Sequence, residues 1–346
     1  MNLSIIIPVY NAEKTIRRLV ESVIKTTNPR IEYEIILIND GSLDSSLECC
    51  LALKEEYSNI HVISQENAGP SAARNRGIEV AKGKHLLFLD SDDYISDNSL
   101  NILSSHFNKD LVIFGVYDEI WDGENLISVT NYEPKEKEYS SAIDLLKDFH
   151  YLLENNLLYS QCTKMYKNEI IKNNNLKFNE SLSMGEDVSF NLEYFQYIND
   201  AKIINESLYH YTHLLSSNSI CSNYYPGYFE NVCFINQKKL QLLSNWEVLD
   251  ETNKNSLESF FIGKISSAMQ NEMSNKCSII QKYKNVKKII LSDEAKKAVI
   301  VGTPKKALHK LLSVCIKMRS PMLAVCLYKG VSIIKMHIMP IIYRGR

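Results

Sequence analysis

The chain has 346 residues, 45% of them apolar and 23% charged, a globular composition that excludes disordered, collagen-like and low-complexity classes. The length suits one large domain plus a smaller one. A net charge of −2 hides a split, because residues 282–346 carry 15 Lys/Arg against two acids while residues 1–281 carry 24 basic and 39 acidic side chains.

Ser4–Val9 is a continuous apolar run, the pattern of a strand buried on both faces. Past Asn11, read as an N-cap, Ile16, Leu19, Val20, Val23 and Ile24 recur at helical spacing. Glu34–Asn39 is a second strand that breaks at Asp40-Gly41-Ser42. Asp44–Tyr57 reads as a helix and His61–Ser64 as a short strand. Pro70–Lys82 is a helix with Gly83 as its stop signal. His85–Leu89 is a strand running into Asp90-Ser91-Asp92-Asp93, and Leu111–Tyr117 is another. A helix is expected over Ala142–Asn155, and Met184-Gly185-Glu186-Asp187 opens one through Tyr197. Tyr209-His210-Tyr211 lies in a strand or loop. After about Tyr225 the pattern is mostly helical, so the expected domains are 1–224 and 225–346.

Strands alternating with helices at this spacing specify an α/β fold, an open and mostly parallel sheet with helices on both faces. Ligands gather at the carboxyl ends of such strands. The polar clusters Tyr10-Asn11, Asp40-Gly41-Ser42, Glu66–Gly69 and Asp90–Asp93 fall at those ends. On an extended backbone Asp90 and Asp92 point to one side and Asp93 to the other. Two carboxylates so spaced suit a hard divalent cation that also holds phosphate oxygens. The plainer alternative is an acidic loop capping the next helix from Asp93 or Ser96. Glu186 and Asp187, taken alone, also fit first-turn acids favoured by a helix dipole.

Five runs then fall into one pattern. Ser4–Asn11 (SIIIPVYN), Asn39-Asp40-Gly41-Ser42, Asn67-Ala68-Gly69 leading to Ala73-Arg74-Asn75, Leu89–Asp93 (LDSDD) and Gly185-Glu186-Asp187 occur in consistent order over roughly residues 3–220. Together they resemble the inverting family 2 glycosyltransferases of the GT-A fold, of the bacterial polysaccharide-biosynthesis type. The resemblance does not reach the region after Tyr225.

The resemblance implies a role for each motif. Pro8 and Tyr10 line the nucleobase slot, with Tyr10 stacked on the ring, and Asp40 accepts from the uracil imide N–H. Arg74 lies near the pyrimidine and diphosphate, where a planar cation suits both. Asp90 contacts the ribose or a metal-bound water, and Ser91 belongs to the same donor-binding loop. Asp92 ligates Mn²⁺ or Mg²⁺ between the donor phosphates, with Asp90 a second ligand directly or through water. Asp187 is the general base for the acceptor hydroxyl. Glu186, Tyr211 and His213 face the acceptor. Relatives carry an Arg after an aromatic pair where this chain has Thr212, and His210 or His213 is the available substitute. The tyrosines at 194, 197, 209, 211, 224, 225 and 228 suggest an acceptor groove, core packing being the alternative.

The function expected is metal-assisted transfer of a hexosyl or N-acetylhexosaminyl group, with inversion, from a nucleotide-sugar, chiefly a UDP-sugar. The acceptor is a hydroxyl of a glycan or lipid-linked saccharide, and the setting is cell-surface polysaccharide synthesis, capsule included. A nucleotidyltransferase is the alternative enzyme, but it wants a Gly-rich phosphate loop where this chain has Pro8-Val9-Tyr10-Asn11. A catalytically inactive nucleotide-sugar- or glycan-binding protein is the alternative without chemistry.

No Cys-x-x-Cys pair and no apolar run of 18 residues occurs, and Leu3–Val9 is short and lacks a basic flank. Reduced thiols and a cytoplasmic protein are expected. The basic residues of 282–346 punctuate Leu, Ile and Met, which reads either as a helix at an anionic membrane surface or as a basic subdomain packed on the acidic body. Peripheral attachment to the inner face of the cytoplasmic membrane is the first reading. Long helices after Tyr225 also offer a surface for a homo-oligomer. No nucleic-acid motif is present.

Overall fold

The computed structural model describes residues 1–26, 31–182, 184–215 and 224–337. Strands and helices alternate first: β1 (Leu3–Val9), α1 (Ile16–Lys25), β2 (Tyr33–Asp40), α2 (Ser46–Glu56), β3 (Ile60–Gln65), α3 (Pro70–Val80) and β4 (His85–Phe88). β1 pairs in parallel with β2 and β4, and β2 with β3. Ile5, Ile7 and Val9 join the buried cluster built with Ile16, Leu19, Val20 and Val23 of α1. Ile6 points the other way, toward α3, where Gly77 leaves room that a Cβ would take from it. Burial on both faces explains why these strands read as unbroken apolar runs.

The rest of the sheet comes from β5 (Tyr94–Ile95), α4 (Ser99–Ser104), β6 (Leu111–Asp122), β7 (Asn125–Tyr132), β8 (Lys137–Tyr139), α5 (Ala142–Lys147), α6 (Phe149–Glu154), β9 (Lys164–Lys167), α7 (Asn168–Asn173), α8 (Glu186–Tyr194) and β10 (Ala201–Leu214). The strand order is β3-β2-β1-β4-β9-β6-β10-β5, with β7 on β6 and β8 on β10. β1 to β4, β6 and β10 run one way, and this mostly parallel sheet has the GT-A arrangement. β9 runs against both β4 and β6, so its first residue lies at the carboxyl side of its neighbours.

Chain packing divides the molecule into two compact units, 1–146 with 155–217, and 147–154 with 218–346. The second unit is helical: α6 joins α9 (Tyr228–Asn245), α10 (Glu251–Ser274), α11 (Ile279–Leu291), α12 (Asp293–Val301), α13 (Ala307–Lys317) and α14 (Pro321–His337). Phe261, Ile262, Ile265 and Met269 of α10 anchor its core against Val286, Ile290, Ala298, Leu312 and Tyr328.

Several expectations are corrected here. The single helix over Ala142–Asn155 is two, because the buried Asn253 side chain takes the Lys147 carbonyl (3.1 Å) and the His150 N–H (2.8 Å) at the break. Asn11 does not cap α1, which starts after Thr15. Asn11 instead sits at φ 49° and accepts from the Leu43 N–H at 2.8 Å. Gly83 does not stop α3, which ends at Val80 with Ala81 as its C-cap. A Cβ on Gly83 would lie 2.3 Å from the Ser4 nitrogen, so glycine there serves the close approach of this connection to β1. Tyr194 and Tyr209 are fully buried and belong to the core rather than to a groove. Among the described residues seven cysteines are free, and no helix is long and apolar enough to cross a membrane.

Candidate active site

The polar clusters that end β1, β2, β3 and β4 converge at one side of the sheet. Tyr10 directly follows β1, which contains Pro8, and is 46% exposed. The turn after it is tied to the turn after β2, since Asn11 N–H donates to Ser42 Oγ (3.1 Å) and Ala12 N–H to Ser46 Oγ (2.7 Å). Asp40 is buried at the end of β2. Its Oδ1 accepts from Gln65 Nε2 (2.8 Å) and Ala68 N–H (2.9 Å), and its Oδ2 accepts from Gly69 N–H (2.8 Å). Asp40 therefore organises the loop after β3. Gly41, at φ 68°, meets that loop so closely that a Cβ would lie 2.8 Å from the Asn67 nitrogen.

The aspartate loop after β4 divides its carboxylates as alternation requires. Asp93 is buried and accepts from Tyr209 Oη and from the Thr212 N–H (2.8 Å), so it holds the end of β10. Burial raises its pKa, and the neighbouring Asp92 and Asp90 raise it further. Asp90 Oδ1 accepts from Arg74 Nη2 at 2.8 Å and from Gln161 Nε2 at 3.4 Å. Asp92 is exposed, and its carboxylate makes no hydrogen bond to another residue among those described. Local desolvation and the Asp90 charge raise its pKa.

Arg74, from α3, is buried and bridges two acids, Asp90 and Glu186, the latter at 3.5 Å. Burial works against its charge, yet the two carboxylates win and push the guanidinium above its ordinary pKa. Its Nε–H is buried and has no acceptor among the described residues. Glu186 and Asp187 occupy the first turn of α8, entered through Gly185 at φ 84°. Asp187 Oδ2 accepts from the Ser160 N–H at 2.8 Å. Burial and the Asp187 charge raise the pKa of Glu186, and Arg74 opposes them.

The later candidates separate. His213 Nε2 lies 3.0 Å from Asp118 Oδ1, and its ring meets Tyr211 edge-on at 4.4 Å. His210 is stacked between Tyr94 and Tyr117 at 4.2 and 4.6 Å and bonded to Glu119 (2.7 Å) and Ser96 (2.9 Å), which makes it a packing residue. Thr212 Oγ1 donates to the Asp92 carbonyl at 2.6 Å. Two basic residues escaped sequence reasoning. Arg18 of α1 donates to that same carbonyl at 2.6 Å while lying over the Tyr94 ring. Lys164, at the start of β9, is fully buried behind Asp187. A lone Arg on an exposed helix face and a lone Lys in a short strand carry no sequence signal.

A divalent cation at Asp92 fits this donor set. Among the described residues no three His, Cys, Asp or Glu side chains group as a metal cage. One open carboxylate instead matches a hard cation that draws its remaining oxygen ligands from phosphates and water.

Residues 4–174 match the sequence profile of Glycosyl transferase family 2. EpsH of Bacillus subtilis is 31% identical over 297 residues, covering 82% of this chain and 81% of EpsH. The chain belongs to glycosyl transferase family 2. The B. subtilis glycosyltransferase EpsJ is 32% identical over 60% of both chains. TarS of Staphylococcus aureus, a poly(ribitol-phosphate) β-N-acetylglucosaminyltransferase, is 29% identical, with 61% of this chain matching 35% of TarS. The match thus spans less than two thirds of the length of these last two relatives. The crystal structure of S. aureus TarS 1-349 with UDP-GlcNAc superposes with a TM-score of 0.70 at 22% identity, covering 96% of this chain and 92% of that one. The likeness extends the common fold into the helical region after Tyr225.

Proposed function

We propose that this protein transfers a hexosyl or N-acetylhexosaminyl group from a UDP-sugar to a hydroxyl of a glycan or lipid-linked saccharide in cell-surface polysaccharide synthesis, by single displacement with inversion. The observation that carries this reading is the open Asp92 carboxylate beside the Asp90–Arg74–Glu186 bridge, with Asp187 next to that bridge on α8. Tyr10 offers an exposed face for the uracil ring, and Pro8 and Asp40 are assigned to the same slot. The orphaned Nε–H of Arg74 is a buried donor waiting for an acceptor, as an oxygen of the bound donor would be. The names of TarS and EpsJ support the same class of reaction.

Asp187 takes the proton of the acceptor hydroxyl as that oxygen bonds to the anomeric carbon, and the electrons of the breaking C–O bond go to the departing diphosphate. The Ser160 N–H fixes one oxygen of the base. Glu186, Tyr211 and His213 are assigned to the acceptor side. A divalent cation such as Mn²⁺ or Mg²⁺, held by Asp92, supplies positive charge to the diphosphate when bound. Arg18 is assigned the diphosphate contact for which position 212 has only a threonine. It forms no ion pair among the described residues, whereas Arg74 is already neutralised by two acids.

The test is calorimetry of UDP with Mn²⁺. Asp92→Asn is expected to lose the metal-dependent part of UDP affinity while its melting curve stays unchanged, because the site is an exposed strand end. Metal-dependent UDP affinity equal to that of the wild type in Asp92→Asn would remove Asp92 from the metal site.

A membrane surface is the proposed location. On α13 and the start of α14, Leu311, Val314, Met318 and Met322 are each half or more exposed, beside Lys310, Lys317 and Arg319. No acid occurs after Glu294. An exposed apolar stripe fringed by cations suits an anionic lipid interface.

A further inference from the structure

Lys164 is the most buried cation of the first unit that the mechanism above leaves unused. Its side chain is fully enclosed at the head of β9, and it forms no ion pair among the described residues. Among the described residues the ammonium donates to neutral acceptors, the carbonyls of Tyr159 and Ser160, both at 2.7 Å, and Thr163 Oγ1 at 3.5 Å. Enclosing a cation without a counter-ion is costly. Burial pulls the Lys164 pKa down to about 7, with the nearby Asp187 charge acting the other way. Packing alone would be served better by Met or Leu.

The two clamped carbonyls belong to a turn whose other contacts reach the site. Ser160 is held at φ 58°, the left-handed region that residues other than glycine seldom adopt. That conformation goes with its N–H on Asp187 Oδ2 at 2.8 Å. Ser160 Oγ accepts from the Cys162 N–H at 3.1 Å, and Gln161 Nε2 reaches Asp90 Oδ1 at 3.4 Å. One short turn therefore touches both the proposed base and the donor-side aspartate.

We propose that Lys164 is a positioning residue for the base: by clamping the carbonyls of Tyr159 and Ser160 it fixes the left-handed turn that holds the Asp187 carboxylate. This rests on the reading of Asp187 as base. It adds that the orientation of Asp187 is set from β9, not from α8 alone. An Ångström of misplacement at a reacting group is enough to cost about 10²-fold in rate.

The test is a double-mutant cycle on the full chain, read as release of UDP from UDP-GlcNAc or UDP-glucose with Mn²⁺, with UDP affinity measured alongside. Lys164→Met is expected to lower kcat by about 10–100-fold while KM for the donor and UDP affinity stay within about twofold. In the Asp187→Asn background the same substitution is expected to cost nothing further, since the residue it positions is already disabled. Lys164→Gln keeps N–H donors for the two carbonyls and is expected to recover part of the loss. It also takes the place of Lys164→Met in the cycle if that variant does not fold. Equal losses in both backgrounds, or a fall in UDP affinity matching the fall in kcat, overturn the proposal. So does unimpaired Lys164→Met beside a disabled Asp187→Asn. Near-normal turnover by Asp187→Asn alone removes the base assignment itself.

Discussion

Arg18 and Thr212 meet at the carbonyl oxygen of Asp92, the residue assigned to the metal. The guanidinium donates to that carbonyl and to Thr212 Oγ1 at 3.5 Å and forms no ion pair among the described residues, in contrast to Arg74, whose charge is balanced by Asp90 and Glu186. Hydrogen bonds to charged groups contribute about 1.5–3 kcal/mol. Arg18→Ala is accordingly expected to raise the Kd for UDP roughly 10-fold or more, and Arg18→Lys to recover part of it. Calorimetry with UDP and Mn²⁺ checks this, and unchanged affinity would mean that Arg18 only props the aspartate loop. The aspartates stood out in the sequence because they fall in order with four other motifs that together resemble the family, whereas taken alone they also fit a loop that caps the next helix. Arg18 was not, because an Arg on the polar face of an amphipathic helix looks the same whether it meets solvent or phosphate.

At the level of elements, the alternating first half could be read because strands buried on both faces and helices with one apolar stripe have distinct periods. The short strands β5 and β8 could not, since two or three residues are too brief to show a period, and β9 (KMYK) lacks the unbroken apolar run that marks the equally short β4. The connection between α3 and β4 shows how one residue sets a spacing. The Gly83 N–H donates to Ser4 Oγ at 2.8 Å and its carbonyl accepts from Asn168 Nδ2 at 2.8 Å, both within reach because no side chain intervenes. Gly83→Ala forces the connection off β1 and is expected to cost about 1–3 kcal/mol, the range for overpacking a tight interior. Chemical denaturation reads the loss. A variant as stable as the parent would mean that the connection shifts without strain.

The whole molecule carries its charge unevenly, and that asymmetry bears on where it works. The helical unit presents Leu311, Val314, Met318 and Met322 to solvent among lysines. Each Lys or Arg near an anionic surface contributes about 1 kcal/mol, so a handful supports reversible attachment. The full chain is expected to sediment with vesicles containing phosphatidylglycerol at low salt and to be released by salt. Replacing Leu311, Val314 and Met318 together with Ser should weaken that binding, since half or more of each residue is exposed. Protein that stays in the supernatant at low salt would end the membrane proposal. Residues after 337 complete the basic stretch and lie outside the described residues.

By itself the sequence determined the α/β class and the motifs at the strand ends, because these rest on local periodicity or on residues close together in the chain, and the order of those motifs carried the resemblance to the family. Tertiary structure decided what those residues touch. Asp40 organises the loop after β3, Asp93 holds β10, and Arg74 joins Asp90 to Glu186 across more than a hundred positions of chain. Such partners are chosen by the folding of distant segments against one another, which no spacing along a single chain encodes. The burial of Lys164 beside a carboxylate 23 positions later is a consequence of β9 running against its neighbours.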